Sequence, residues 1–196
     1  MNDKPNSAAS TDALDALEAD HRAVEKLFDA FERSEDGAAE TRGALVQRAC
    51  EELTVHTMLE EELLYPAAQQ ALAQKQQTEI DESYVEHFLV KTLIAKFETL
   101  EPDHAGFNAT FRVLAEMVRH HIDEEESQLF PALRDSGLDL ARLGARIAQR
   151  KDELTRRLEA AGSRLVGDMT FAMRPDEVGV GGDGRPGGGA SGGARR

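Results

Sequence analysis

Apolar positions recur at intervals of three and four residues through five stretches of the chain. Leu14, Leu17, His21, Val24, Phe28 and Phe31 follow the capping candidates Thr11 and Asp12, which predicts an amphipathic helix ending near Gly37. A second pattern runs from about residue 38 to 74 through Leu45, Ala49, His56, Glu60 and Leu63, with Pro66 marking a kink or break. A third carries Ile80, Tyr84, His87, Val90, Ile94 and Phe97 and stops before Pro102. The fourth holds Phe107, Phe111, Leu114, Val118, His121 and Glu125, and Pro131 closes or bends it. Residues 138–161, with Leu140, Leu143, Ile147, Leu154 and Leu158, predict a shorter fifth helix laid against the others.

Two of these patterns are copies. His56-Thr-Met-Leu-Glu60-Glu61-Glu62-Leu-Leu64-Tyr65-Pro66-Ala67 returns 65 residues later as His121-Ile-Asp-Glu-Glu125-Glu126-Ser-Gln-Leu129-Phe130-Pro131-Ala132. The preceding segments rhyme at a shift of 66, aligning His21, Val24, Leu27, Phe31 and Glu32 with His87, Val90, Leu93, Phe97 and Glu98. The chain therefore consists of two related helix hairpins, and two hairpins complete an all-α, antiparallel four-helix bundle.

Composition narrows the picture. With 196 residues there is room for one well-buried domain and tails. Aromatics are only 5% and Trp is absent, which argues against a sandwich or barrel. A formal charge of −14 repels phosphate backbones and anionic lipid, so neither nucleic acid nor a membrane surface is an expected partner. No apolar run approaches the ~20 residues that span a bilayer, and no secretory leader opens the sequence. Cys50 is the single cysteine, which excludes a thiolate zinc site or an intrachain disulfide and suits a reducing cytoplasm. Nine of the residues in 179–196 are Gly, too little apolar surface to offset ordering entropy. The expected organisation is a disordered N-terminus (1–10), the bundle (11–135), an additional helix (136–165) and a flexible tail (166–196), whose Met169, Phe171 and Met173 have the apolar content to dock on the body or on a protein partner of unknown identity.

The repeat also carries the chemistry. Residues i and i+4 lie about 40° apart around a helix and about 6 Å apart along it, so His56 with Glu60, and His121 with Glu125, each point one way. A single His on an apolar face is ordinarily a core residue with a satisfied hydrogen bond. Here four of six His fall on core stripes and two carry a Glu at i+4, and burying those groups unpartnered would cost several kcal/mol. Imidazole and carboxylate together suit iron, with manganese and zinc possible, and two central carboxylates can each bridge ions about 3.5–4 Å apart. A dinuclear site in one core layer is expected. His104 and His120 fall outside it, and Glu61, Glu62, Glu124 and Glu126 face solvent or stand behind the ligands.

The order H…HxxxE…H…HxxxE, with Asp20-His21-Arg22-Ala23-Val24-Glu25-Lys26-Leu27-Phe28 at the start and the LYP and LFP endings, resembles the bacterial hemerythrin-like HHE cation-binding family over roughly residues 12–133. The resemblance implies a non-haem di-iron centre with an oxo or hydroxo bridge. In it His21, His56, His87 and His121 are terminal ligands, and Glu60 and Glu125 bridge. Oxygen-carrying members place two His four residues apart on the third helix, whereas His87 is flanked at those positions by Ser83 and Lys91. The implied set leaves about two of twelve octahedral positions exchangeable, and Tyr84 stands near enough in sequence to fill one or to donate a hydrogen bond. That shortfall favours handling of peroxide, oxygen or nitric oxide over reversible oxygen carriage. The alternative is iron or redox sensing, or iron buffering, without turnover.

Overall fold

The computed structural model describes residues 12–34 and 37–161, and every regular element among them is helical. The expected disordered N-terminus and Gly-rich tail lie outside these residues. Helix α1 (Ala13–Arg33) opens on Asp12, whose carboxylate accepts from the amides of Leu14 and Asp15 at 2.9 and 3.0 Å, as the capping pattern requires. Helix α2 (Ala39–Leu59) does not break at Pro66. It passes through a π-helical turn, Glu60–Leu64, into α3 (Tyr65–Ala71). After α4 (Gln74–Phe97), the second hairpin repeats the device: α5 (Phe107–Glu124), a π-turn at Glu125–Leu129, and α6 (Phe130–Asp135).

The prolines explain both wide turns. A proline inside an α-helix lacks an N–H and drives its ring into the carbonyl four residues back, and a wider turn moves that carbonyl away. In each copy the proline is the second residue after the π-turn, and the residue before it, Tyr65 or Phe130, donates its N–H five residues back to Glu60 or Glu125.

Packing of opposite helix ends fixes the antiparallel order. Phe31, late in α1, and Phe97, late in α4, both meet Phe111 near the start of α5, with ring centroids 4.4 and 6.0 Å apart. At the other end Arg134 of α6 pairs with Asp12, Asp15 and Glu18 of α1. Helix α7 (Leu140–Ala161) follows a turn at Gly137, whose φ of 79° favours a residue without Cβ, and Asp139 accepts from the Arg142 amide. It lies against α1 and α2 through Leu143, Ile147 and Leu154. The apolar interior falls into two clusters, one around Leu17, Leu59 and Phe130 and the other around Phe28, Leu53 and Phe111. Between them lies a polar layer.

Candidate metal centre

That layer holds the six residues singled out by the repeat. His21 enters from α1, His56 from α2, Glu60 from the first π-turn, His87 from α4, His121 from α5 and Glu125 from the second π-turn, and none is more than 7% exposed. Their donor atoms converge in two overlapping groups, His21–His56–Glu60–Glu125 and Glu60–His87–His121, each spanning no more than 4.8 Å. Glu60 belongs to both. Its Oε2 lies 3.2 Å from His56 Nε2, 3.3 Å from His87 Nε2 and 4.0 Å from His121 Nε2, while Glu125 Oε2 lies 3.4 Å from His21 Nε2 and 3.6 Å from His121 Nε2.

The far side of the imidazoles is built with equal care. His21 Nδ1 lies 2.7 Å from Glu126 and His87 Nδ1 3.0 Å from Glu61, repeat-equivalent carboxylates that each follow a central glutamate. His121 Nδ1 lies 2.8 Å from Glu86, and Asp20, the counterpart of Glu86 in the first hairpin, stands 3.9 Å from His56 Nδ1. A carboxylate accepting from Nδ1 fixes the tautomer and turns the Nε2 lone pair inward. These carboxylates are themselves held. Lys91 places its Nζ 2.5 Å from both Glu61 oxygens, Arg22 pairs with Glu126, and Lys151 of α7 pairs with Asp20. Of the four glutamates left between solvent and the layer's rim, Glu61 and Glu126 thus back ligand candidates, Glu62 pairs with Arg150, and Glu124 faces His120.

Inside the layer His21 Nε2, His56 Nε2, Glu60 Oε1 and Glu125 Oε2 are buried without a hydrogen-bond partner. Four such atoms gathered in one layer from three rods carry a desolvation cost that a cation would relieve, so the donor set fits metal. Charge pairing tells the same story. Burial works against protonation of His56, but the carboxylates of Glu60 and Asp20 outweigh it and raise its pKa to about 10; His121 is likewise pushed well up against burial by Glu125, Glu60 and Glu86. Burial opposes ionisation of Glu60 too, yet His56, His121 and His87 hold its carboxyl well below the usual range.

The hydroxyl that reaches this layer is Tyr65's, not Tyr84's. Tyr65, fully buried, places its oxygen 3.0 Å from Glu125 Oε1, 3.1 Å from His87 Nε2 and 3.4 Å from Glu60 Oε2. Tyr84 instead sets its ring against the Tyr65 ring at 5.1 Å. Burial, then Glu125 and Glu60, push the Tyr65 pKa well up, so the phenol is a donor to these carboxylates. Its counterpart Phe130 stacks on His21 at 5.8 Å. The remaining space beside the imidazoles is a small pocket walled by Val24, Leu53, Val90, Val118 and Ile122. His104 lies apart, capping the amide of Gly106.

Residues 12–133 match the model of the hemerythrin HHE cation-binding domain. The chain belongs to that family. A hemerythrin HHE cation-binding domain-containing protein from Mycobacterium kansasii has the same fold, with a TM-score of 0.65 at 22% identity over 81% of this chain and 98% of that one. An uncharacterized hemerythrin-like protein of Schizosaccharomyces pombe is 29% identical over 61% of this chain and 58% of its own, and a protein named DNA nickase from Nostoc sp. is 31% identical over 62% of this chain and 33% of its own. The chain thus spans a third to somewhat over half of these curated relatives. Among the described residues no helix is long and apolar enough to cross a membrane. The HHE chain is therefore a hemerythrin-like helical bundle with His and Glu clusters suited to a cation.

Proposed function

We propose that this HHE protein holds two non-haem irons, with His21, His56, His87 and His121 as terminal ligands and Glu60 and Glu125 as bridges, and that it handles peroxide, oxygen or nitric oxide there. The observation that carries the reading is the convergence of buried imidazole and carboxylate atoms, those of His21, His56, Glu60 and Glu125 without a hydrogen-bond partner, on two overlapping groups that share Glu60. One group matches the bonding needs of one ion, and a shared carboxylate is how two ions come close enough to act together. Donors of nitrogen and oxygen without thiolate suit iron.

Iron, once bound, would supply a redox couple and exchangeable positions for a small ligand. The chain's own residues do the rest. Glu61, Glu126 and Glu86 orient three imidazoles, and Tyr65 keeps a proton at its oxygen beside Glu125 and His87. The Val, Leu and Ile side chains, with Thr57 beside them, leave a small and largely apolar pocket next to the imidazoles, which suits a small neutral molecule better than a charged one. The chain's charge of −14 favours neutral oxidants over nucleic acid, so the activity in the name of the Nostoc relative is not carried over.

Iron counted after reconstitution under reducing conditions tests the reading, together with the near-ultraviolet spectrum of the oxidised sample. About two irons per chain, lost on Glu60→Ala or Glu125→Ala more than on His21→Ala, is the expected result. Iron well below one per chain overturns the dinuclear reading.

A further inference from the structure

A third group of metal-capable side chains lies outside the buried layer. His120 and Glu124 stand one turn apart on α5, with Nε2 and Oε1 3.4 Å apart, and Glu86 of α4 joins them, the three donor atoms lying within 4.8 Å of one another. His120 is 65% exposed and Glu124 39%, so solvent reaches the group directly.

Neither packing nor the repeat demands this arrangement. His120 and Glu124 duplicate the His-x3-Glu spacing of His121 and Glu125 one residue earlier, so α5 aims one pair inward and a second pair outward. At the equivalent positions of the first hairpin stand Val55 and Leu59, both buried in the cluster that α7 completes. The outward pair stands on the second hairpin, whereas α7 packs mainly on α1 and α2 of the first. Glu86 joins this surface group to the buried layer, because its Oε2 lies 2.8 Å from His121 Nδ1 and a carboxylate has a second oxygen to offer.

We propose that Glu86, His120 and Glu124 form an accessible surface site for a small divalent cation such as zinc or manganese, completed by water and linked to the buried layer through the carboxylate of Glu86. One imidazole nitrogen and two carboxylate oxygens are ligands that such borderline ions accept, and three protein donors leave room for water and for exchange. The negative field of the chain raises the local concentration of cations at its surface.

Equilibrium dialysis of the full, iron-reconstituted chain against zinc tests this, with zinc and iron counted in the same sample. The native chain is compared with His120→Ala, Glu124→Gln and His104→Ala. The first two remove exposed side chains at the site, and the third removes an exposed imidazole elsewhere. The comparison with His120→Ala isolates the surface site whatever ion fills the buried layer, and the iron count reports that layer separately. Zinc binding that weakens roughly tenfold or more in His120→Ala and Glu124→Gln, the scale that even an outer partner of a metal ligand commands, is the expected result. His104→Ala keeps it, and iron is unchanged throughout. Equal zinc uptake by the native and His120→Ala chains overturns the proposal, as does zinc gained only in step with iron lost.

Discussion

At the scale of single residues, the centre is decided by which polar atoms are turned inward and what holds their backs. Tyr65 is the clearest case, because its one hydroxyl faces Glu125, His87 and Glu60 together. Tyr65→Phe removes the one hydroxyl these groups share and should cost the metal-free chain about 1–3 kcal/mol in a melting experiment. In the iron-loaded chain it should change the visible spectrum and the rate of peroxide loss, while Tyr84→Phe leaves both as they were. His56 supplies a pH prediction. Its pKa in the folded, metal-free chain, about 10, stands above its ordinary value of 6.5, so its stabilising charge is complete below about pH 6.5 and lost as pH rises through about 10. Thermal midpoints of the metal-free chain should fall across that window, and His56→Gln should flatten the decline. Cys50, whose burial pushes the thiol up to about 12, should not react with thiol reagents at pH 8 until the chain unfolds.

At the scale of elements, the rods were legible and the turns that matter most were not. A 3.6-residue period identified each helix, and the duplicated His-x3-Glu placed both pairs on inward faces, because i and i+4 share a face in any regular helix. Residue i+5 does not: in an unbroken α-helix Tyr65 would sit about 140° around from Glu60. The π-turn at Glu60–Leu64 brings it back over the layer, and so helical spacing pointed to Tyr84, three residues before His87, instead. The available signal was the proline in both L-[YF]-P-A endings, which reads as a break until its ring is given a wider turn. Asp20 and Glu86 were visible too, as acids directly preceding aligned His residues, but adjacency along a helix gives no hint that each serves a His on a neighbouring rod. Helix α7 was expected to lie against the bundle, and it also holds the layer from outside through Lys151 and Arg150. Leu154→Ala, at a site with no exposure, should cost about 2–5 kcal/mol by thermal melting while iron content at saturation is kept. A loss of iron without a loss of stability would mean that α7 acts on the centre rather than on the core.

At the scale of the whole molecule, the bundle is two apolar clusters separated by a layer of ionisable groups, in a chain that carries fourteen more acids than bases. Apolar contacts hold each cluster, but the layer between them joins the two at low cost only if its carboxylates are neutralised. Without metal His56 and His121, both pushed up by the neighbouring carboxylates, do this by holding protons, an arrangement that still leaves four inward-facing buried atoms unpartnered. With metal the same atoms gain bonds, and the excess negative charge falls. A ligand that binds only the folded chain stabilises it by RT ln(1 + [L]/Kd), about 2.7 kcal/mol at a hundredfold excess over Kd. Chelation of the iron-loaded chain should therefore lower its thermal midpoint. Amide exchange should rise most in the two π-turns, where Glu60 and Glu125 lose their cations, and least in the cluster around Phe28 and Phe111, which contains none of the candidate ligands. An unchanged midpoint after complete iron removal would show that the protonated layer is as good a joint as the metal-filled one, and that the centre is not needed to hold the two hairpins together.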